Sequence, residues 1–288
     1  MKHYLLIPVT ALLVTALACS PITINIPKLT TGPTETFTVS VPAPEDDAAP
    51  EVSVLMGAGE LRIDGGGEGL VSGEIKYNVA DWEPRVTTEA NGNVTIKQGQ
   101  SDEFSGVPDG NVVNKWNLAL GDAPMNLTVE AGAFEGTLNL GGVPLRNLTI
   151  KNGASDSTVT FEAANPEEMD KLVVEAGAAS LTLSGLANAN FSEMEFNGGV
   201  GGYTLDFSGT LQRDATVKIS SGVSSLRVIV PSNTAATITV SGGLNDVSTE
   251  GTWTVQDDVY STGATGSTLT RRPSWSNLTV PSTRANNV

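Results

Sequence analysis

The chain has almost none of the residues that build a nucleophile–base pair or a soft metal site. Its 288 residues include one histidine, His3, and one cysteine, Cys19. His3 lies in a segment that we expect to be removed, so a Ser-His-Asp triad, a Cys-His pair, a histidine zinc site and a CxxC redox pair are all excluded. A single cysteine also forms no disulfide within the chain. The sequence therefore predicts no cofactor and no enzyme activity.

Positive charge and aromatic side chains are scarce as well. Lys and Arg number 16 against 32 Asp and Glu, a formal net charge of −16. Such a surface repels phosphate groups and anionic headgroups, so no nucleic acid partner is expected. Aromatic residues make up 5% of the chain, which favours a narrow core with little room for large rings. No segment has the sustained 3.6-residue periodicity of an amphipathic helix.

The amino terminus is typical of an exported protein. Lys2 precedes a fourteen-residue apolar stretch from Tyr4 to Leu17. A membrane-spanning helix needs about 20 apolar residues, so this stretch fits a secretory signal peptide over residues 1–18. The segment Ala16-Leu17-Ala18-Cys19 resembles a bacterial lipobox, although an ordinary small-residue cleavage site fits it too. We expect a lipid on Cys19, and hence a membrane-anchored protein that faces outside the cytoplasm, at the cell surface or in the periplasm.

Residues 19–50 have the composition of a flexible, lipid-anchored tether. They are rich in threonine and are interrupted by prolines, six of which lie between Pro21 and Pro50. Prolines extend a linker and hinder regular pairing. Phe37, Val39 and Val41 alternate with polar residues, so an edge strand over these positions is the alternative.

Evenly spaced glycines indicate a repeat architecture in the second half of the chain. Each follows a short alternating strand, and the steps between them are 21, 24, 21, 24 and 20 residues: Gly132, Gly153, Gly177, Gly198, Gly222 and Gly242. A fixed period in this range is the signature of a solenoid. We expect these glycines to serve corners that need a positive φ, rather than to cradle an anion.

The predicted fold is all-β. A β-solenoid similar to a parallel β-helix, with about 21–24 residues per rung, covers residues 121–255. An antiparallel β subdomain precedes it over residues 51–120, where Asn91-Gly92 marks a hairpin. Residues 256–288 form a polar tail or a loose cap. The side chains predicted to face inward are Leu127, Val129, Leu138, Leu140, Leu148, Ile150, Val159, Phe161, Leu172, Val174, Leu181, Leu183, Met194, Phe196, Leu205, Phe207, Val217, Ile219, Leu226, Val228, Ile238 and Val240.

Candidate ligand sites are few. The loop residues Asp102, Glu103, Asp109 and Asn111 offer oxygen ligands of the kind that calcium prefers. They lack the spacing of an EF-hand, so a solvated loop is the favoured interpretation and no metal is predicted. Asp206 points outward from its rung, but the sequence identifies no second carboxylate with which it could cleave a glycoside.

Two stretches resemble a known family. The run from Leu55 to Val79, followed by D-W-E-P-R-V, looks like an amino-terminal toast-rack domain. The later segments W-N-L-A-L, V-E-A-G-A and Y-T-L-D-F-S-G are similar to the β-solenoid of LiaF-like cell-wall-antibiotic-response proteins and candidate bacterial adhesins. The resemblance covers roughly residues 51–250. LiaF-type members restrain envelope-stress signalling through transmembrane helices that this sequence lacks, so the resemblance implies an envelope-surface role rather than that signalling role.

These observations predict a non-enzymatic, lipid-anchored protein of the cell envelope. It would contact the membrane through Cys19 and bind or sense an envelope protein or a polysaccharide. A structural adhesin or spacer without a specific ligand is the first alternative. A polysaccharide-cleaving β-helix enzyme is the second, and the scarcity of Lys and Arg in the solenoid disfavours it.

Overall fold

The computed structural model describes residues 28–45, 49–99, 107–109, 111–231, 234–240, 246–272 and 276–280. Over these ranges the chain forms seventeen β-strands and two 3-10 turns, Ala80–Trp82 and Leu186–Ala189, with no α-helix. The strands are β1 (Lys28–Val41), β2 (Glu51–Gly65), β3 (Val71–Val79), β4 (Arg85–Thr88), β5 (Val94–Lys97), β6 (Val107–Asp109), β7 (Asn114–Leu120), β8 (Met125–Asn139), β9 (Leu145–Thr160), β10 (Met169–Ser184), β11 (Phe191–Asp206), β12 (Thr216–Ser221), β13 (Ser224–Val230), β14 (Thr237–Val240), β15 (Asp246–Gln256), β16 (Val259–Arg272) and β17 (Ser276–Val280). The signal peptide and Cys19 lie outside the described residues.

Five long strands, β2 and β8 to β11, each turn a corner near their middle. In β10, Val174 and Ala176 are buried before the corner, and Ala179 and Leu181 are buried after it. The two-residue alternation of a strand is broken once, because Gly177 and its neighbour are both exposed. We call the part before the corner the first arm and the part after it the second arm. The break lets both arms point apolar side chains into one core.

The rungs stack in parallel and in register. On the first arm Val129, Ile150 and Val174 are paired neighbours, and on the second arm Leu138 and Val159 are. Each column therefore places similar apolar side chains directly above one another, about 4.8 Å apart. The predicted all-β solenoid is confirmed. Every side chain predicted to face inward is buried except Phe207, which is partly buried against the core.

The amino-terminal part is a mixed sheet, in which parallel pairs accompany the antiparallel pairs that the sequence predicted. The first arm of β2 pairs in parallel with β5, and its second arm pairs in parallel with β7. β5 and β7 are thus the two arms of a rung that lies on the opposite side of β2 from β8. Antiparallel pairs remain between β1 and β3, β3 and β7, and β4 and β5. The parallel partners are some forty residues or more apart, so local alternation could not reveal them.

A polar side-chain network occupies the corner of that additional rung. Gln98 Oε1 accepts a hydrogen bond from the Gly57 backbone N–H (2.9 Å) and another from Asn114 Nδ2 (2.9 Å). Asn114 Oδ1 in turn accepts one from Trp116 Nε1 (2.8 Å). No continuous strand joins β5 to β7 among the described residues, and at this corner the Gln98 side chain satisfies the backbone N–H of Gly57 in β2.

β1 lies within the segment predicted as a tether. It pairs antiparallel with β3, with Val39 and Val41 buried and Phe37 packed against the core. The alternation at these three residues therefore corresponds to a docked strand, because the apolar side chains gain burial that a free linker would forgo. Residues 28–41 are thus part of the folded body.

Antiparallel strands close the carboxyl-terminal end. β17 pairs with β12 from the first-arm sheet, and β16 pairs with β13 from the second-arm sheet. β14 pairs with both β16 and β17, so these three strands link the two sheets across the last rung. The segment that the sequence left open between a polar tail and a cap contributes β16 and β17 to this end cap.

The corner glycines follow from close stacking and not from backbone conformation. A β-carbon at Gly153 would lie 2.4 Å from the carbonyl oxygen of Gly132, and one at Gly177 would lie 2.7 Å from that of Gly153. The same relation runs through the glycine column, which we define as Gly57, Gly132, Gly153, Gly177, Gly199 and Gly222. None of these six has a positive φ, so the predicted reason is wrong. Gly199, and not Gly198, occupies the column, while Gly242 lies outside the described residues.

Candidate ligand-binding face

The outward side of the second arm carries a row of threonines. In β9, Thr158 points outward between the buried side chains of Ser157 and Val159. Thr158 pairs with Thr137 of β8 on one side and with Thr182 of β10 on the other. Thr182 pairs in turn with Thr204 of β11. We call these four residues the threonine ladder: Thr137, Thr158, Thr182 and Thr204. Neighbouring members are about 4.8 Å apart, the spacing of paired strands.

The ladder hydroxyls are free. All four side chains are half-buried. Within the described residues, none of their hydroxyl groups has a hydrogen-bond partner. Each hydroxyl can donate one hydrogen bond and accept two. No base lies within hydrogen-bonding distance of them in the described part of the chain, so they are suited to binding and not to nucleophilic chemistry.

Two arginines bound the ladder, and both are paired with acids. Arg62 precedes Thr137 in the column, and Arg227 follows Thr204. The Arg62 Nε donates to Asp64 Oδ2 at 2.5 Å, a hydrogen bond that lowers the pKa of the Asp64 carboxyl. An Arg227 guanidinium nitrogen lies 3.7 Å from Glu250 Oε2. The strip between the arginines is therefore uncharged, and the arginine charges are compensated locally.

The outward column on one side of the ladder largely satisfies itself. Asn139 Nδ2 donates to Asp64 Oδ1 (2.5 Å), and Thr160 Oγ1 donates to Asn139 Oδ1 (2.9 Å). Two strands further on, Asp206 Oδ1 accepts from the Ser208 N–H (2.9 Å). These polar groups hold one another in place, which fixes the edge of the face.

The outward column on the other side is acidic. Lys115 and Glu60 form an ion pair at 2.7 Å. Glu135 and Asp156 then lie opposite each other on β8 and β9, and no cation from the described residues pairs with either. A groove of about 510 Å³ runs over this end of the face; its lining includes Glu60, Arg62, Asn117, Glu135, Thr137, Asp156 and Thr158. No aromatic residue is among its lining positions apart from Trp116, whose side chain is buried.

The outward side of the first arm has a different character. Lys151 and Glu130 form an ion pair at 2.7 Å, and Lys171 lies 3.1 Å from Glu195. Charged side chains of neighbouring rungs therefore neutralise one another on this side. Its outward column also carries hydroxyl groups, on Thr95, Ser53, Thr128 and Thr149, and ends where a valine follows in β10. Thr128 and Thr149 are matched controls for the ladder, since they lie on the same strands at the opposite arm.

Most of the candidate site residues that the sequence singled out are not among the residues that the structure describes. Cys19, Asp102 and Glu103 lie outside the described residues, and of Asp109 only the backbone, in β6, is described. The carbonyl oxygen of Asn111 accepts a hydrogen bond from Asn78 Nδ2 (2.7 Å). Across the described ranges, no group of three His, Cys, Asp or Glu side chains is placed to hold a metal ion. Among the same residues, none belongs to a helix whose length and apolar character would let it traverse a membrane.

The ladder was missed because its period is uneven. Thr137, Thr158, Thr182 and Thr204 are separated by 21, 24 and 22 residues, and each stands near other threonines and serines. The glycine spacing gave the same approximate period. Each ladder threonine follows the column glycine of its own strand by the same number of residues, so an alignment of the rungs on the glycine column, with Gly199 in β11, reveals the ladder.

The chain matches the family model described as the N-terminal domain of toast_rack, DUF2154, over residues 30–184 and again over residues 168–229. A solved structure of a candidate cell adhesion protein from Clostridium sporogenes is similar, with 16% sequence identity and a TM-score of 0.47, over 81% of this chain and 88% of that one. Among curated proteins, none matches the chain.

Proposed function

This chain belongs to the toast-rack family, and we propose that it acts as a lipid-anchored protein of the cell envelope that binds polysaccharide through the threonine ladder. The family match fits a non-enzymatic surface protein. The proposal adds a ligand class, a binding face and an anchor to that coarser description.

The observation that carries the proposal is the row of free hydroxyls on a rigid support. A polysaccharide offers many hydroxyl groups that donate and accept hydrogen bonds, as the ladder threonines do. Each strand of the ladder is held by a paired strand on both sides, so the hydroxyls are fixed before the ligand arrives. Fixed groups lose little conformational entropy on binding. The threonine methyl groups can also cover the C–H faces of sugars.

The anchor follows from the amino-terminal sequence. Cys19 ends a short apolar stretch, and a lipid on its sulfur would hold the folded body at a membrane surface. Stable anchoring by acyl chains takes more than one chain, as in a multiply acylated cysteine. Lys28, in β1, is the first residue that the structure describes, and residues 20–27 lie between it and Cys19 in the sequence.

A sedimentation assay tests the binding face. The purified chain is mixed with insoluble polysaccharide from isolated envelopes and centrifuged. We expect the wild type and the double variant Thr128→Val/Thr149→Val to sediment with the polysaccharide. The double variant Thr158→Val/Thr182→Val should remain in solution, because valine keeps the shape and strand preference of threonine but removes its hydroxyl.

Three results would contradict the proposal. Equal sedimentation of both double variants would show that the ladder is not the binding face. Failure of the wild type to sediment would leave the spacer without a specific ligand as the better description. Release of reducing sugars by the wild type would favour the enzyme.

A further inference from the structure

The second half of β1 is an open edge of the sheet that contains β3 and β7. Residues Glu35 to Val41 pair one by one with Tyr77 to Val71 of β3 on one side. On the other side, among the described residues, β1 has a strand partner only at Lys28–Thr30, which pair with β6. Along the seven residues from Glu35 to Val41, the backbone groups that point away from β3 therefore face no strand of the described part of the chain.

This edge lacks the features that usually keep edge strands from pairing, which are charges, prolines, bulges and short length. The first half of β1 has two of them, Pro33 and a register shift between Thr31 and Glu35. The other edge strands of the described ranges have them too. β4 and β6 consist of four and three residues, and β15 carries two acids and a register shift. From Thr36 to Val41, β1 has no charge, no proline and no bulge.

The sequence of this edge is symmetric about Thr38. The run Thr36-Phe37-Thr38-Val39-Ser40 alternates hydroxyl and apolar residues, and it has the same pattern in both directions. Its three hydroxyl residues are exposed, Val39 is buried, and Phe37 is only partly buried against the core. Two such strands in an antiparallel pair, related by a twofold axis at Thr38, would set Phe37 of each copy against Val39 of the partner subunit. The same register would set Thr36 opposite Ser40.

We infer that this edge joins two copies of the chain, by antiparallel pairing of β1 with β1 of a second copy. Thr38 is the middle residue of the stretch that pairs regularly with β3, so this register pairs all seven residues of both copies. It would also cover the exposed part of Phe37. Association through β1 does not involve the threonine ladder, and it is independent of the proposed glycan binding.

The charges near the edge permit this contact although each copy has a formal net charge of −16. Glu35 is the only charged residue of the stretch. In the inferred register it would lie opposite Val41 at either end of the contact, so no two charges would face each other. Glu35 also accepts a hydrogen bond from the Tyr77 hydroxyl of its own chain (3.1 Å), which holds the carboxylate over β3.

Sedimentation velocity of the full chain carrying Cys19→Ser, which removes the proposed anchor, tests the inference. Up to about 100 μM, where a contact of micromolar Kd is largely occupied, we expect a dimer and no larger species, because a twofold contact closes on itself. Thr38→Lys should stay monomeric over the same range, since its two lysines would lie opposite each other. Thr87→Lys is the matched control. Thr87 is an exposed threonine on another edge strand, β4, and its replacement should leave the dimer intact.

A disulfide reports on the register of the contact. In the Cys19→Ser chain an introduced cysteine is the only one. The Cα atoms of the two Thr38 residues would be about 4.5–5.5 Å apart, which a disulfide spans, so Thr38→Cys should give a covalent dimer under mild oxidation. Glu74→Cys is the control, because Glu74 is exposed and pairs with Thr38 from β3. Its two copies would be about 14 Å apart, three strand spacings, and should stay unlinked.

Four outcomes would overturn the inference. The first is a chain that stays monomeric over the whole concentration range. The second is a dimer that persists in Thr38→Lys and is lost in Thr87→Lys, which would place the contact at β4. The third is equal cross-linking of Thr38→Cys and Glu74→Cys, which would indicate random collision. The fourth is cross-linking of Thr38→Cys to a different envelope protein and not to itself. Both lysine variants should keep the circular dichroism spectrum of the wild type, and if Thr38→Lys does not fold, the cross-linking decides.

Discussion

At each solenoid corner, one residue without a side chain determines how closely two rungs can stack. The backbones of neighbouring corners approach so closely that a β-carbon would overlap the carbonyl oxygen of the preceding rung. The glycine repeat in the sequence therefore reflects the close contact between neighbouring rungs. Any residue larger than glycine at these corners would force the rungs apart. The glycine column has this role from Gly132 to Gly222, whereas a β-carbon at Gly57 would meet the Gln98 side chain at 3.3 Å.

Replacing a column glycine with alanine should destabilise the fold. In Gly153→Ala the new methyl group would meet the Gly132 carbonyl oxygen at 2.4 Å, and we expect a loss of about 1–3 kcal/mol in the free energy of unfolding. Gly202→Ala is the control, because no atom lies within 4 Å of the added β-carbon. Alanine there should be neutral or slightly stabilising, since it restricts the unfolded chain. Equal unfolding midpoints in a urea titration would contradict this account.

Adjacent positions on one strand should respond in opposite ways to a charge. Leu183 is 1% exposed, whereas its neighbour Thr182 is half-buried and points outward. Leu183→Asp buries a carboxylate without a partner and should lower the free energy of unfolding by more than about 3 kcal/mol. Thr182→Asp should leave the melting temperature nearly unchanged. Similar melting temperatures for the two variants would mean that the register of β10 is wrong.

The Arg62–Asp64 pair should make stability depend on acid pH. The hydrogen bond from Arg62 lowers the pKa of Asp64 in the folded state. A carboxyl with a depressed folded pKa stabilises the fold above its unfolded pKa, and this contribution is lost as the pH falls through the folded value. Wild type should therefore exceed Asp64→Asn in stability at pH 7, by a small margin because the pair is largely exposed. The difference should vanish in strong acid, and a constant difference from pH 7 to pH 2 would contradict the assignment.

At the scale of strands, features that depend on local sequence pattern could be predicted, whereas the pairing of strands distant in sequence could not. The two-residue alternation identified the inward side chains from Leu127 to Val240, because burial on one side of a strand leaves that pattern in the sequence. It could not give the parallel pairing of β2 with β5 and β7, since partners distant in sequence share no local signal. The threonine ladder had the same difficulty. Its members become a row only when insertions of different length between rungs are placed in register.

The end cap should protect the last rungs more than the first. Ending the chain after Gln256 removes β16 and β17. This leaves the outer edges of β12 and β13 unpaired and removes both pairing partners of β14 and the β16 partner of β15. In a solenoid each rung depends mainly on its neighbours, so the loss should be local at first. We expect faster amide hydrogen exchange in β11 to β13, with β8 and β9 less affected. A chain that ends at Val280 retains both strands and is the control. Uniformly faster exchange would indicate a single cooperative unit.

For the whole molecule, the proposed anchor and the proposed binding face lie in separate parts of the chain. The anchor is one residue, Cys19, and the face begins in β2 and extends through β13. The strands that carry the face form a continuous stack, in which β2 pairs with β7 on one side and with β8 on the other. Lipid attachment at Cys19 requires no structural change in the binding face, and binding at the face requires none at Cys19.

Membrane attachment and glycan binding should therefore be lost independently. Cys19→Ser removes the sulfur that would carry the lipid, so the protein should move from the detergent phase to the aqueous phase in a phase-separation assay and lose fatty-acid labelling. Its sedimentation with envelope polysaccharide should equal that of the wild type, because every ladder threonine is intact. Thr158→Val/Thr182→Val should show the reverse, with normal labelling and no sedimentation. If Cys19→Ser abolishes both membrane attachment and sedimentation with polysaccharide, the polysaccharide contact depends on the anchor, and the solenoid is a spacer. If it changes neither, the cysteine is not lipidated, and the protein reaches the envelope surface by another route.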